Sequence, residues 1–438
     1  MTGEESLPFL VGGATTDITP PREAGILMSA AQRKWAPFAG VRSPLCARAL
    51  ALADGGRRVA LVSLDLLGIS GKALGGGARF KARIVAAAKR AVRPADLVLT
   101  ATHTHAAPET LGLTDLCRTR PFTRWVGDLA ERIGDAVSRA AARMEPCRLR
   151  AVSIEAPGLA IHRRIKTTRG VVLSSPEPPP EAVLSRAGAT DPTVNVAAFT
   201  GRTGELVAML VNACCHPVHE MCLPLVSSDY PGEMCSALER RHPGATVLFF
   251  NGAAGNINPP TVSGGPADAQ AHGQKLAAVV EEAFARAGDT PVGRQATGRS
   301  SLPEERSAQG MILLGRRRVL LPGRTLRGRP SKVPVRTEIA GLRLGSLLFI
   351  FIPGELFVEI GLAIRKASPF ATTWIVGYAE DYVGYIPTRA AFDEGGYELG
   401  PGAWARVGRG AEATLLREAR ALLRSLKAAP APRACGRT

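Results

Sequence analysis

The chain has 438 residues, 45% hydrophobic and 21% charged, enough apolar residues to bury a large core. Its formal net charge is +17, but the Lys and Arg residues are scattered, without aromatic interleaving or a helix-turn-helix pattern, so no nucleic-acid partner is expected. No apolar run reaches the roughly 18 residues of a membrane span, the N-terminus shows no apolar signal core, and the eight cysteines form no CxxC pair, so a cytoplasmic protein with reduced thiols is expected.

In chain order, RRVALVSLDLL (57–67) predicts a buried strand and GARFKARIVAAAKRAV (77–92) an amphipathic helix. DLVLTATHTH (96–105) predicts another strand, and residues 123–144 a long helix with apolar positions near a period of about 3.6. Residues 173–192 are Pro- and Ser-rich and predict an exposed excursion. VNVAAFT (194–200), ELVAMLVNACC (205–215), TVLFFNGAAG (246–255) and GSLLFIFIPGE (345–355) are strand-like, and helices are predicted over 269–288 and 356–367. The Arg- and Gly-rich stretch 291–330 predicts a basic hairpin rather than a loop, and 427–438 a disordered tail. This alternation predicts an α/β fold with central mixed β-sheets flanked by helices.

The rare polar residues fall where apolar strands end. His103 and His105 follow DLVLTA, His216 follows LVAMLVNACC, Asn251, Asn256 and Asn258 follow TVLFF, and Glu355 follows LLFIFIPG. Ligands collect beyond the carboxyl ends of strands in α/β sheets, so these segments can converge. On a strand, His103 and His105 point to one side. His103, His216 and Glu355 would supply the two imidazoles and one carboxylate common in zinc sites. Each has a plainer reading. An HxH pair in a strand is more often structural, His216 before Pro217 can simply end a strand, and Glu355 can cap the helix that follows. His162 reads as a loop residue, His219 as support for His216, and His242 and His272 as solvated. NGAAGNINPP (251–260) resembles an anion-binding loop but lacks the GxGxxG and GxxxxGK[ST] patterns. The absence of GxSxG argues against a serine α/β-hydrolase.

Eight segments in one order resemble the catalytic region of the neutral (non-lysosomal) ceramidase family. They are VGGATTDITPP (11–21), VSLDLLG (62–68), THTHAAP (102–108), IHRRI (161–165), CCHPVHEMCLPLVSSDYPG (214–232), AAGNINPP (253–260), PGELFVEIG (353–361) and DYVGYIPTRAAFDEGGYE (381–398). The resemblance implies one ceramidase-like catalytic domain over 1–426, without a C-terminal immunoglobulin-like domain. It also implies a zinc-dependent amidase of sphingolipid metabolism. Carried over by motif, zinc is held by His103, His216, Glu355 and Tyr382. His105 relays a proton, Arg163 stabilises the developing oxyanion, and Tyr385 adds a hydrogen bond. The implied reaction is attack of metal-activated water on an N-acyl bond. The implied partner is a ceramide-like lipid or another N-acyl amine, with possible peripheral contact to an anionic membrane.

The sequence departs from the family at Asn258, where the family carries a serine, and at Phe392, where it carries a tyrosine. Asn258 cannot act as an activated hydroxyl nucleophile but can donate a hydrogen bond to an oxyanion or a polar substrate group. Two alternatives follow: a metallohydrolase repurposed for a different amide or ester, and an inactive basic protein that binds lipid surfaces.

Overall fold

The computed structural model describes residues 8–29, 32–287 and 311–428. Its centre is an eight-stranded mixed sheet. In chain order the strands are β1 (Phe9–Asp17), β2 (Cys46–Ala53), β3 (Arg58–Leu64), β4 (Leu97–Ala101), β5 (Glu145–Glu155), β6 (Thr193–Thr200), β7 (Leu206–Ala213) and β8 (Thr246–Asn251). Across the sheet the order is β8-β7-β6-β5-β1-β2-β3-β4. The neighbours pair antiparallel except β3 with β4 and β7 with β8, which run parallel. Four strands, β9 (Ile312–Arg324), β10 (Pro330–Leu344), β11 (Leu347–Phe351) and β12 (Thr372–Val376), form a second mixed sheet in that order. The alternation in the sequence thus yields the expected α/β class.

The longer helices are α1 (Gly77–Ala87), α2 (Arg120–Ala142), α3 (Asp229–Arg241), α4 (Pro266–Ala287), α5 (Val358–Lys366) and α6 (Ala411–Ala428). Thr119 starts α2 by accepting the Phe122 amide, with Pro121 in the first turn, where a missing N–H costs nothing. The helix buries Phe122, Trp125, Leu129, Ile133 and Val137 along one stripe, together with α1, against one half of the large sheet. Helices α3 and α4 cover the other half, and α5 and α6 cover the outer face of the second sheet. The two sheets bury their remaining faces against each other. Phe349 lies there fully buried, edge-on to Phe250 and to Trp374, and removing such a ring costs about 3–5 kcal/mol.

Several sequence expectations shift. β4 stops at Ala101, short of both histidines. The basic hairpin exists but spans Ile312–Leu344; residues 291–310 lie outside the described residues. The 173–192 excursion is bordered by Gly170–Leu173 and contains Val183–Ser185, two strands of a small sheet with Arg164–Thr167 between them. Helix α6 reaches Ala428, and 429–438 lie outside the described residues.

Candidate metal centre and active site

The site forms where the carboxyl ends of β4, β7, β8, β11 and β12 meet. After β4 the chain is held by Thr102 N–H to Leu64 O (2.8 Å) and His103 N–H to Leu66 O (3.0 Å). The His103 ring lies 2.5 Å through Nδ1 from Leu67 O, and Tyr378 stacks on its face at 4.1 Å. After β7, the His216 Nδ1 lies 2.6 Å from Ala254 O and 3.1 Å from Ile257 O. A carbonyl only accepts, so both rings carry their proton on Nδ1 and present Nε2 as a lone-pair donor.

Those two Nε2 atoms converge on Glu355 Oε2, at 3.4 Å from His103 and 3.1 Å from His216. Tyr382 donates its hydroxyl to Glu355 Oε1 at 2.6 Å. Burial and the Arg163 charge push His216 down to about 4. Burial and the Glu355 charge raise the Tyr382 phenol. Gly255 lets the NGAAGN loop approach: a Cβ there would sit 2.5 Å from Glu355 O. Two imidazole lone pairs, a carboxylate and a phenol, all buried, fit a four-coordinate zinc-type ion.

His105 sits beside this set, its Nε2 3.2 Å from His103 Nε2. Ring nitrogens of His103, His105 and His216 lie within 4.8 Å of one another, so His105 is also within reach of an ion. Burial and the other two histidines push its pKa well down, which keeps it neutral at physiological pH.

Arg163 enters from the other side. Its Nε donates to Glu398 Oε1 at 3.0 Å, and its Nη1 lies 3.4 Å from His216 Nε2 and 3.5 Å from Asn258 Oδ1. Among the described residues Nη2 is buried and has no hydrogen-bond partner, a donor available to an acceptor in the site. Asn258 Nδ2 points to Ser174 Oγ at 3.4 Å. The Tyr385 ring lies 5.3 Å from the Arg163 guanidinium carbon. All eight sequence-predicted site residues therefore gather in one region.

Other expectations change. His103 leaves the strand with a φ of 73°, so strand alternation does not explain its direction. The NGAAGNINPP loop turns carbonyls inward, those of Ala254 and Ile257 onto His216 and that of Asn256 onto the Arg163 N–H, so it is no anion cradle. Asn256 Oδ1, not Glu355, accepts the Val358 amide at the start of α5. His272 is buried rather than solvated: it stacks on Tyr230 at 4.1 Å and bonds His219 at 2.9 Å. Burial and His219 push it down to about 3. His219 thus belongs to that pair and to Thr261. His242 is half-buried on Glu281, and His162 sits in a two-residue strand against Asn258 and Ile257.

Two residues of the site lie outside the sequence reading. Glu398 is buried and accepts from both Arg163 and Arg164; the YE pair ending the last motif is its only sequence signal. Tyr378 packs on His103, and nothing in VGYAEDY marks it.

Fold and site define a class: two mixed sheets packed face to face between helices, with strand ends converging on a buried histidine–carboxylate set. No protein-family profile and no curated protein matches the chain in sequence. Among solved structures, neutral ceramidase from Pseudomonas aeruginosa shares the fold, with a TM-score of 0.74 and 20% identity over 98% of this chain and 77% of that one. A ceramidase complexed with C2 is similar at a TM-score of 0.74 and 18% identity, over 98% of this chain and 78% of that one. The chain has the neutral ceramidase fold.

Proposed function

We propose that the chain is a metal-dependent amide hydrolase of the ceramidase type, cleaving the N-acyl bond of a ceramide-like lipid or another N-acyl amine. The observation that carries the reading is the convergence of His103, His216, Glu355 and Tyr382, with Arg163 and His105 beside them. The likeness to neutral ceramidase structures supports the same reading. Zinc is the ion this donor set suits, held by His103 Nε2, His216 Nε2, the Glu355 carboxylate and the Tyr382 oxygen. When bound, it supplies Lewis acidity and a more acidic water.

The chain's own residues account for the rest. The neutral His105 accepts a proton at Nε2 as water adds to the amide carbon, and delivers it to the amine nitrogen as the C–N bond breaks. Arg163 Nη2 donates to the oxygen that becomes negative, and the Tyr385 hydroxyl adds a second donor. Asn258 Nδ2 orients a polar substrate group.

Purified protein, analysed for bound metal and assayed on a panel of N-acyl substrates, tests this. A His103→Ala variant that kept full metal and full activity would sink the assignment. Asn258, standing where the family has serine, favours a second reading: a metallohydrolase for a non-ceramide amide or ester. Activity on short N-acyl compounds or esters, with none on long-chain ceramides, would select it.

A further inference from the structure

The far half of the β9–β10 hairpin combines a run of positive charge with exposed apolar side chains. From Ile312 to Thr337 the chain carries eight Lys and Arg and no Asp or Glu. Arg316 and Arg317 are neutralised, by Glu338 and Glu380 and by Glu418, and Arg324 donates to the carbonyls of Gly328 and Leu399. The other five, Arg318, Arg327, Arg329, Lys332 and Arg336, are exposed and form no ion pair with an acid among the described residues.

Exposed apolar side chains sit among them. Of six exposed large hydrophobics in the described residues, three lie here: Leu320 at 59%, Leu326 at 62% and Val333 at 72%. The other three, Leu10, Val41 and Leu184, are spread over three separate strands. Leu320 stands directly opposite Arg336 across the strands, and Leu326 lies in the Thr325–Gly328 turn. β9 is an edge strand, and charge on an edge discourages pairing with another chain. That accounts for Arg318. It does not account for Leu326 and Val333, which would be polar if solubility alone governed the tip.

The hairpin is also tied to the site. Arg324 N–H donates to Arg406 O at 2.7 Å, and Gly323 bridges to Val407. The segment Leu399–Val407 directly follows Tyr397 and Glu398, and its Trp404 carbonyl accepts the Tyr385 amide at 2.8 Å.

We propose that the distal hairpin is a docking surface for an anionic lipid bilayer, with the cations on headgroup phosphates and carboxylates and Leu326 and Val333 entering the interface. This deepens the amidase reading by placing its lipid substrate next to the site, and rests on that reading for its purpose. The binding test does not involve catalysis, so either idea can fail without the other.

The full chain is sedimented with phosphatidylcholine vesicles and with vesicles carrying about one-third phosphatidylserine, at low and high salt. Binding is expected only to the anionic vesicles and is expected to weaken with salt. An Arg327→Gln/Arg329→Gln/Lys332→Gln variant should lose about a hundredfold in partitioning, roughly fivefold per cation. A Leu326→Ser/Val333→Ser variant should lose the part of binding that survives high salt. Circular dichroism checks that both remain folded. Wild-type partitioning by the folded triple variant overturns the proposal. So does tighter, hairpin-dependent binding to duplex DNA than to vesicles, which would make the surface a nucleic-acid site. A change of oligomeric mass in the apolar variant with unchanged vesicle binding also overturns it, assigning the tip to a second copy of the chain.

Discussion

Replacing Glu398 by Gln keeps the side-chain shape and removes the charge that two buried guanidiniums share. Glu398 accepts Arg163 Nε at 3.0 Å and Arg164 Nη1 at 2.6 Å. Breaking a buried pair by removing one partner costs about 3–5 kcal/mol, because a charge is left uncompensated. Arg164 retains Glu394 at 3.2 Å and Gly395 O at 2.9 Å, so the lower end applies and the deficit falls on Arg163. About 3 kcal/mol is a large part of the roughly 5–15 kcal/mol that typically holds a protein folded. Arg163 can relieve it by turning toward Asn258, which would carry Nη2 away from the oxygen it stabilises in the proposed reaction. Deleting an oxyanion donor outright costs about 10²–10³ in kcat, so a displaced one should cost about tenfold to a hundredfold. Urea midpoints and kcat are measured for Glu398→Gln, Arg163→Met and the double variant, on whichever N-acyl substrate is cleaved. If Glu398 acts by positioning Arg163, Glu398→Gln should hardly change kcat in the Arg163→Met background. Equal, additive losses of kcat in both backgrounds refute the reasoning and leave Glu398 a purely structural residue.

Three further outcomes are expected. Chelation should lower the unfolding temperature, because an ion at a hundred times its Kd stabilises the folded state by about 2.7 kcal/mol; His103→Ala should bind less metal and respond less to chelator, and an unchanged response would remove His103 from the ligand set. Asn258→Ser restores the residue of the ceramidase motif: it should raise activity on long-chain ceramide relative to short N-acyl compounds, whereas an unchanged ratio would show that position 258 does not set the substrate. Burial pushes the Asp96 carboxyl up, but hydrogen bonds and charge from Arg57 (2.6 Å) and Arg93 (2.6 Å) outweigh it and hold its pKa below the ordinary value. A depressed folded-state pKa contributes stability that is present above the unfolded value of about 3.9 and is lost as pH falls through the folded value. Asp96→Asn should therefore unfold more easily by about 1 kcal/mol at neutral pH, the half-buried Arg57 and exposed Arg93 limiting the gain through solvent screening, and the gap should close in strong acid. A gap of constant size across that range contradicts the linkage.

What the sequence reveals and hides follows from where the information resides. β4, β8 and β11 are legible because their apolar residues are continuous, as strands buried on both faces must be. β2, CARALALA, is not legible: alanine favours helix, and only burial between β1 and β3 makes a strand of it. His103, His216 and Glu355 stand out as polar residues just past apolar runs, a local signal. Tyr382 enters only through the family resemblance, since a tyrosine after a strand usually packs. Glu398 meets Arg163 across 235 positions, a contact that no local pattern encodes. The solvated reading of His272 fails for the same reason: its polar helical neighbours are local, while the Tyr230 ring that covers it belongs to α3.

The seam between the sheets carries backbone strain where the donor atoms gather. His103, Tyr378 and Glu380 adopt left-handed φ values of 73°, 54° and 69°, each costing roughly 1 kcal/mol or more for a residue with a side chain. Every one is pinned. His103 N–H donates to Leu66 O (3.0 Å), Tyr378 N–H to Gly354 O (3.1 Å) and Glu380 N–H to Leu99 O (2.8 Å). The Glu380 carboxylate takes the Leu99 amide at 2.8 Å and is bound by Lys81 and Arg316. The turns let the exits of β4 and β12 cross, with Ala101 N–H on Tyr378 O at 3.0 Å and a bridge from Thr100 to Ala379. That crossing brings His103, delivered by the large sheet, to Glu355, delivered by the small one. The strain is therefore spent before any ligand arrives, and the donors need little rearrangement to receive one. Glycine at 103 would relax the backbone and delete the imidazole; any other residue would keep the strain and supply no imidazole lone pair. Position 103 thus joins a costly backbone conformation to the one side chain that the proposed metal site needs there.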